Sequence, residues 1–101
     1  MEVEIDDKEL LKLYETGKSK KYRLPVDTLD KFFLRINLIQ AAKDIYDLWK
    51  DPSARFEKLS GENQYSMRLN RKYRMIFEVE WENIEHTIGI FKIVDLNNHY
   101  E

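Results

Sequence analysis

The sequence predicts an α+β fold in which two helices pack on one face of a mainly antiparallel sheet, in the order β-α-α-β-β-β. Three observations carry this. An apolar stripe at helical spacing runs from Leu29 to Trp49, two alternating runs flank the short turn Asn70-Arg71-Lys72, and a further strand-like run follows it. That order of elements is the signature of helices laid over a sheet. With 101 residues, 43% hydrophobic and 13% aromatic, the chain is expected to form one domain over residues 1–101, around a single modest core.

Glu2 to Asp6 alternates polar and apolar, which gives a short strand with Val3 and Ile5 inward. Asp6 or Asp7 is placed to cap a helix carrying Leu10, Leu11 and Tyr14, and Gly17 to end it. Lys18 to Arg23 reads as a basic, solvated linker, and as a phosphate contact only if the fold brings it near the hairpin. Pro25 introduces the main helix with Asp27 as N-cap. Leu29, Phe32, Phe33, Ile36, Ile39, Ala42, Tyr46 and Trp49 form its apolar stripe. A break near Asp44 is possible by composition, and the helix must end before Pro52.

The hairpin register follows from its apolar faces. Tyr65, Met67 and Leu69 share one side of the first strand, and Tyr73, Met75, Phe77 and Val79 one side of the second. Matching them places Leu69 beside Tyr73 across a three-residue loop, because a slip of one residue would bury arginines. Arg68 and Arg74 then lie opposite each other, facing away from the helices. Two cations so placed repel, and a bound anion relieves the repulsion. Ile84 to Asp95 reads as the last strand, with a bulge at Gly89 and His86 mid-strand in a structural role.

Composition excludes several classes. The absence of cysteine rules out disulfides and thiolate metal sites, and two histidines make a structural zinc improbable, so neither metal nor cofactor is expected. No apolar run approaches the ~20 residues of a membrane span, and the acidic start is unlike a signal peptide, so a cytoplasmic location is expected. The net charge of −2 is strongly segregated: residues 16–25 hold four bases and no acid, and residues 50–74 seven bases against three acids. A polyanion responds to these local fields more than to the total.

Phe56-Glu57-Lys58-Leu59-Ser60-Gly61, Tyr65-Ser66-Met67-Arg68-Leu69-Asn70, Lys72-Tyr73-Arg74-Met75-Ile76-Phe77 and the terminal Asn97-Asn98-His99-Tyr100 together resemble the pattern of HigB-type toxins. These belong to the RelE/ParE superfamily of toxin–antitoxin modules, also known as plasmid maintenance killer proteins. The resemblance spans nearly the whole chain and implies a RelE-like fold. It also implies a ribosome-dependent mRNA endonuclease, neutralised by a helix-turn-helix, HigA-like antitoxin. In such enzymes the ribose 2′-OH attacks the adjacent phosphate without a metal, leaving a 2′,3′-cyclic phosphate.

On this resemblance Arg74 clamps the scissile phosphate and Arg68 is a second phosphate contact. His99 and Tyr100 match the terminal proton-exchanging and stacking positions. Ser60 stands where the family usually has lysine, and Lys58 is the candidate replacement on the same face of an extended segment. Arg71 and Lys72 add to the field that draws RNA in. Glu57 reads as a surface acid in an ion pair, or else as a base. The same scaffold also carries ParE-like DNA gyrase inhibitors, and a catalytically weakened homologue would persist as an antitoxin-binding module.

Overall fold

In the computed structural model, which describes residues 1–61 and 63–98 (Asn98 by its backbone alone), Asp7 opens the first helix. Its carboxylate accepts from the N–H groups of Glu9 and Leu10 at 2.9 and 3.0 Å, filling donors that a helix start leaves orphaned. This helix, α1 (Lys8–Thr16), stops at Gly17, whose φ of 76° glycine reaches without a Cβ clash. The main helix, α2 (Val26–Ala41), begins two residues earlier than an Asp27 cap would place it: Pro25 holds the cap position with no side-chain bond. Asp27 lies inside the first turn, where its charge favours the positive helix end.

The apolar stripe ends at Ala42. Asp44 caps a separate short helix, α3 (Ile45–Trp49), accepting from the N–H groups of Tyr46 and Asp47. Among the described residues there are therefore three α-helices rather than two, and Tyr46 and Trp49 are half exposed instead of extending the core stripe. A 3-10 turn, Pro52–Ala54, leads to the sheet.

The sheet has five strands: β1 (Val3–Glu4), β2 (Glu57–Lys58), β3 (Gln64–Arg68), β4 (Tyr73–Trp81) and β5 (Gly89–Asn98), in the order β1-β5-β4-β3-β2. β1 runs parallel to β5 and every other pair is antiparallel. The hairpin has the expected register, Met67 opposite Met75 and Arg68 opposite Arg74. β2 is a strand the sequence did not suggest. β5 starts at Gly89, not Ile84, because Asn83 folds residues 83–88 into a turn by bonding Thr87 and Ile88; His86 lies in that turn, stacked on Trp81. At Gly89 the chain passes so close to β4 that an added Cβ would sit 2.7 Å from the Glu80 carbonyl oxygen. The bulge is elsewhere: Ile93 faces Phe77 and Asp95 faces Ile76, so Val94 is the extra residue. That insertion lets Phe91 and Ile93, then Leu96, all point inward.

Those residues join Met67, Met75, Phe77 and Val79 on one sheet face, in a core with Leu10 and Leu13 of α1, Phe32, Ile36 and Ile39 of α2, and Leu48 of α3. All three helices therefore cover one face, and the other is left open. Among the described residues no helix is long and apolar enough to cross a membrane.

Candidate active site

The site is built on the open face at the hairpin tip. Leu69 N–H donates to the Tyr73 carbonyl at 2.9 Å, which makes Leu69–Tyr73 a hydrogen-bonded pair. Arg68–Arg74, one step along, is therefore of the non-hydrogen-bonded kind, with Cα atoms roughly 4.5 Å apart and side chains at their closest. The loop between them is shaped by Asn70. Its carbonyl oxygen accepts from the N–H groups of Lys72 and Tyr73, both at 2.9 Å, and its amide donates to Thr28 Oγ1 at 2.7 Å. Thr28 is buried on α2, so the loop is pinned to the helix behind it.

A cleft of about 100 Å³ opens beside the hairpin, lined by Arg55, Glu57, Ser66, Arg68, Asn70, Arg71 and Arg74. Four guanidinium groups thus face one carboxylate. The ion pairs among the described residues are Arg35–Asp51, Lys50–Asp47 and Lys92–Asp6, so no cleft cation is neutralised by a salt bridge. Arg68 Nε donates to the Asn70 carbonyl at 3.1 Å. Arg74 Nε is buried without a hydrogen-bond partner. A buried donor left unmade costs about 1–3 kcal/mol, more for a charged group, and an anion in the cleft would offset it.

Arg35 of α2 holds the walls of this cleft together. It is 2% exposed, and its Nε donates to the Arg68 carbonyl at 3.0 Å. That carbonyl points toward the β2 side, but β2 pairs only with Tyr65 and Ser66, so the sheet leaves it without a donor. The same guanidinium reaches the Ser53 carbonyl at 3.2 Å and Asp51 at 3.4 Å, fixing the turn that delivers Arg55. The Asp51 carboxyl is held below its ordinary range, chiefly by the Ser53 hydroxyl, with Arg35 adding its charge.

The structure brings together Arg68, Arg71 and Arg74 of the residues singled out from the sequence. Lys72 is exposed on the loop and does not line the cleft. Lys58 does not line it either. Side chains alternate along a strand, and Lys58 pairs with Tyr65, whose ring stacks on Phe56 on the helix side. Glu57, paired with Ser66, is the β2 residue on the cleft face. Ser60 is exposed beyond β2 and outside the cleft. His99 and Tyr100 lie outside the described residues. Arg55, Ser66, Asn70, Thr28 and Arg35 went unrecognised in the sequence. The last two carried a signal, since they share the helical phase of Phe32 and Ile39 and are the polar members of a buried stripe.

Comparison with known proteins agrees with this architecture. The family model described as the RelE-like toxin of the type II toxin–antitoxin system HigB matches residues 3–89. Toxin HigB-1 of Vibrio cholerae serotype O1 is 36% identical over 81 residues, covering 77% of this chain and 83% of that protein. Among solved structures, a YoeB/ParE toxin from Agrobacterium tumefaciens shares the fold, with a TM-score of 0.55 over 99% of this chain and 100% of that one, at 12% identity.

Proposed function

The chain belongs to the HigB-like family of RelE-like toxins of type II toxin–antitoxin systems, and from that premise we propose that it is a ribosome-dependent mRNA endonuclease acting in the cytoplasm and restrained by a helix-turn-helix, HigA-like antitoxin. The observation that carries the reading is Arg74: a buried, unpartnered Nε in a cleft where four guanidinium groups meet no salt-bridging acid. Such a site favours an anion, and a phosphodiester offers one with the oxygens that guanidinium forks recognise.

In the proposed reaction the 2′-oxygen forms a bond to the adjacent phosphorus while the bond from phosphorus to the 5′-oxygen breaks, leaving a 2′,3′-cyclic phosphate. Glu57, the carboxylate lining the cleft, takes the proton from the 2′-OH. Arg74 and Arg68 hold the charge that builds on the phosphate oxygens, with Arg55 and Arg71 adding to the field. The departing 5′-oxygen needs a proton, and His99 is assigned that role, with Tyr100 stacking on a base.

Cleavage of a reporter mRNA on translating ribosomes tests this. Arg74→Ala is expected to lower the rate by about 100-fold or more, the usual effect of losing one donor to a developing charge, while antitoxin binding persists. Cleavage at the wild-type rate would refute the assignment. Uncut mRNA with gyrase trapped on DNA would instead make the protein a ParE-like inhibitor.

A further inference from the structure

We infer that the open sheet face is self-complementary and takes a second copy of this chain, whose acids enter the arginine cleft and close it. The pairing rests on the charge layout alone; that it silences the protein rests on the ribonuclease reading above.

Side chains alternate along a strand, so positions 74, 76, 78 and 80 of β4 share the face opposite the helices. They read Arg74, Ile76, Glu78 and Glu80, and Lys72 precedes them in the same alternation on the exposed loop. The order is two cations, one apolar residue, two anions. A two-fold axis lying in the face and crossing β4 at Ile76 maps position 74 onto 78 and position 72 onto 80. A second copy laid face to face about that axis sets its Glu78 over Arg74 and its Glu80 over Lys72. It receives the same contacts in return, as a closed, isologous pair requires of one patch. Ile76, only half-buried in a single copy, meets its own counterpart on the axis.

Each end of the face is short of opposite charge. Arg68 and Arg74 stand directly across from each other, and the Arg74 Nε is buried without a partner. Glu78 and Glu80 are exposed and, among the described residues, form no ion pair. Lys92, the cross-strand neighbour of Glu78, is engaged by Asp6 at 3.4 Å, and Glu80 faces Ile90. Glu4 lines the same recess as the two acids and adds a like charge. Within one copy Arg74 and Glu78 lie about 13 Å apart along the strand and cannot meet. Between copies they can, because facing sheets pack about 10 Å apart, a gap that an arginine and a glutamate span together. Contact then relieves the repulsion at both ends and sets complementary potentials against each other. The strands β3, β4 and β5 present a face only about 14 Å wide and about 30 Å long. That is small for an obligate dimer, so the pair is reversible and sensitive to salt. The second copy's Glu78 stands where a phosphate would bind, so pairing and RNA exclude each other.

Sedimentation equilibrium of the antitoxin-free chain at about 0.1 M and about 1 M salt tests the pairing, since the Debye length falls from about 10 Å to about 3 Å. The expected result is a dimer at the lower salt whose dissociation constant rises about tenfold or more at the higher. E78K/E80K changes two exposed side chains, so its thermal unfolding should match wild type while its self-association weakens about tenfold or more. R68E/R74E should not pair with itself either, yet an equimolar mixture of the two variants should form a heterodimer, because each offers the charge the other lacks. Should R68E/R74E not fold, R68Q/R74Q must lose self-association in its place. A wild type that stays monomeric at both salts overturns the inference. So does a variant that pairs as tightly as wild type, or a mixture of folded variants that stays monomeric. For the closure, reporter cleavage per molecule should fall as wild type is concentrated past its dissociation constant, with no such fall in E78K/E80K; the same concentration dependence in both overturns it. If wild type cuts no mRNA at any concentration, the ribonuclease reading falls alone, and the mass measurements still decide the pairing.

Discussion

Arg35→Met removes the guanidinium beneath the cleft while keeping an unbranched apolar stem, and the structure sets the size of the effect. Two backbone carbonyls, those of Arg68 and Ser53, lose charged donors at 3.0 and 3.2 Å. Hydrogen bonds to charged groups contribute about 1.5–3 kcal/mol each. Asp51 adds little to the loss: its side chain is 37% exposed and it keeps the Ser53 N–H and hydroxyl. Against these terms, the variant no longer buries a charge, a relief of a few kcal/mol. A net loss of about 2 kcal/mol follows, and at about 4–8 °C per kcal/mol for a domain this size the melting temperature should fall by about 8–16 °C. Arg35→Lys keeps the charge but cannot straddle both carbonyls and Asp51, so about half of that loss is expected. Cleavage is then assayed at a temperature where all three proteins are folded. A displacement of the Arg68 backbone by about 1 Å is enough to cost about 100-fold in rate, although every cleft cation is still present. A melting temperature within about 3 °C of wild type, or undiminished cleavage by Arg35→Met, would refute the role given to this residue.

Three further outcomes follow from the same geometry. Glu57→Gln keeps the shape of the cleft and removes its carboxylate; reporter cleavage should fall by about 10²–10⁴-fold, the usual worth of a general base, and an unchanged rate would exclude Glu57 as the proton acceptor. Ser60→Lys should leave the cleavage rate unchanged, because residue 60 is exposed outside the cleft; a faster enzyme would show that the segment moves inward on the ribosome. Burial raises the Tyr22 and Tyr65 hydroxyl pKa values above 10.0. The unfolded chain therefore ionises first, and the stability these groups lend is intact below pH 10.0 and is lost as pH rises through their folded values. Urea midpoints measured across that range should drop, and less steeply in Tyr22→Phe.

How far the sequence could be read depended on how many residues voted on each feature. The β3–β4 register was legible because four apolar positions on β4 and three on the facing run agree, and a slip would have buried Arg68 and Arg74 together. The cap at Asp6 or Asp7 and the stop at Gly17 were legible because capping is local chemistry, and the structure selects Asp7. β2 was not: two residues show no alternation, and whether Glu57 or Lys58 faces the cleft depends on a pairing with Ser66 set across an unpatterned loop. The bulge was misplaced for a related reason. Ile93-Val94 offers two apolar residues in a row, either of which could point inward, while the shift of apolar phase around Gly89 pointed to a glycine that the structure uses for close approach to β4 and not for a bulge. In the site, the arginines of the hairpin were visible as chain neighbours. Arg35 and Thr28 act on residues more than thirty positions away, and only the packing of α2 behind the sheet gives them that role.

The acidic total charge does not conflict with an anion site, because the open face is divided. Arg74, Ile76, Glu78 and Glu80 share that face of β4, with Ile76 between the arginine and the acids. Four residues of strand separate Arg74 from Glu78 by about 13 Å, beyond the Debye length of about 8 Å at physiological ionic strength. Glu78 faces Lys92 on β5, and Glu4 lines the same recess beside β1, so these acids form a separate patch. Asp95 is the acid closest to the hairpin on β5, and it is engaged by the Tyr22 hydroxyl and the Leu96 N–H. The supports behind the cleft follow the same logic: Arg35 grips the Arg68 carbonyl and Thr28 the Asn70 amide, holding the hairpin by groups other than its guanidiniums. A hairpin shaped only for stability would place an acid across from Arg68. Here another arginine stands there, and an anion held between the two would relieve that repulsion.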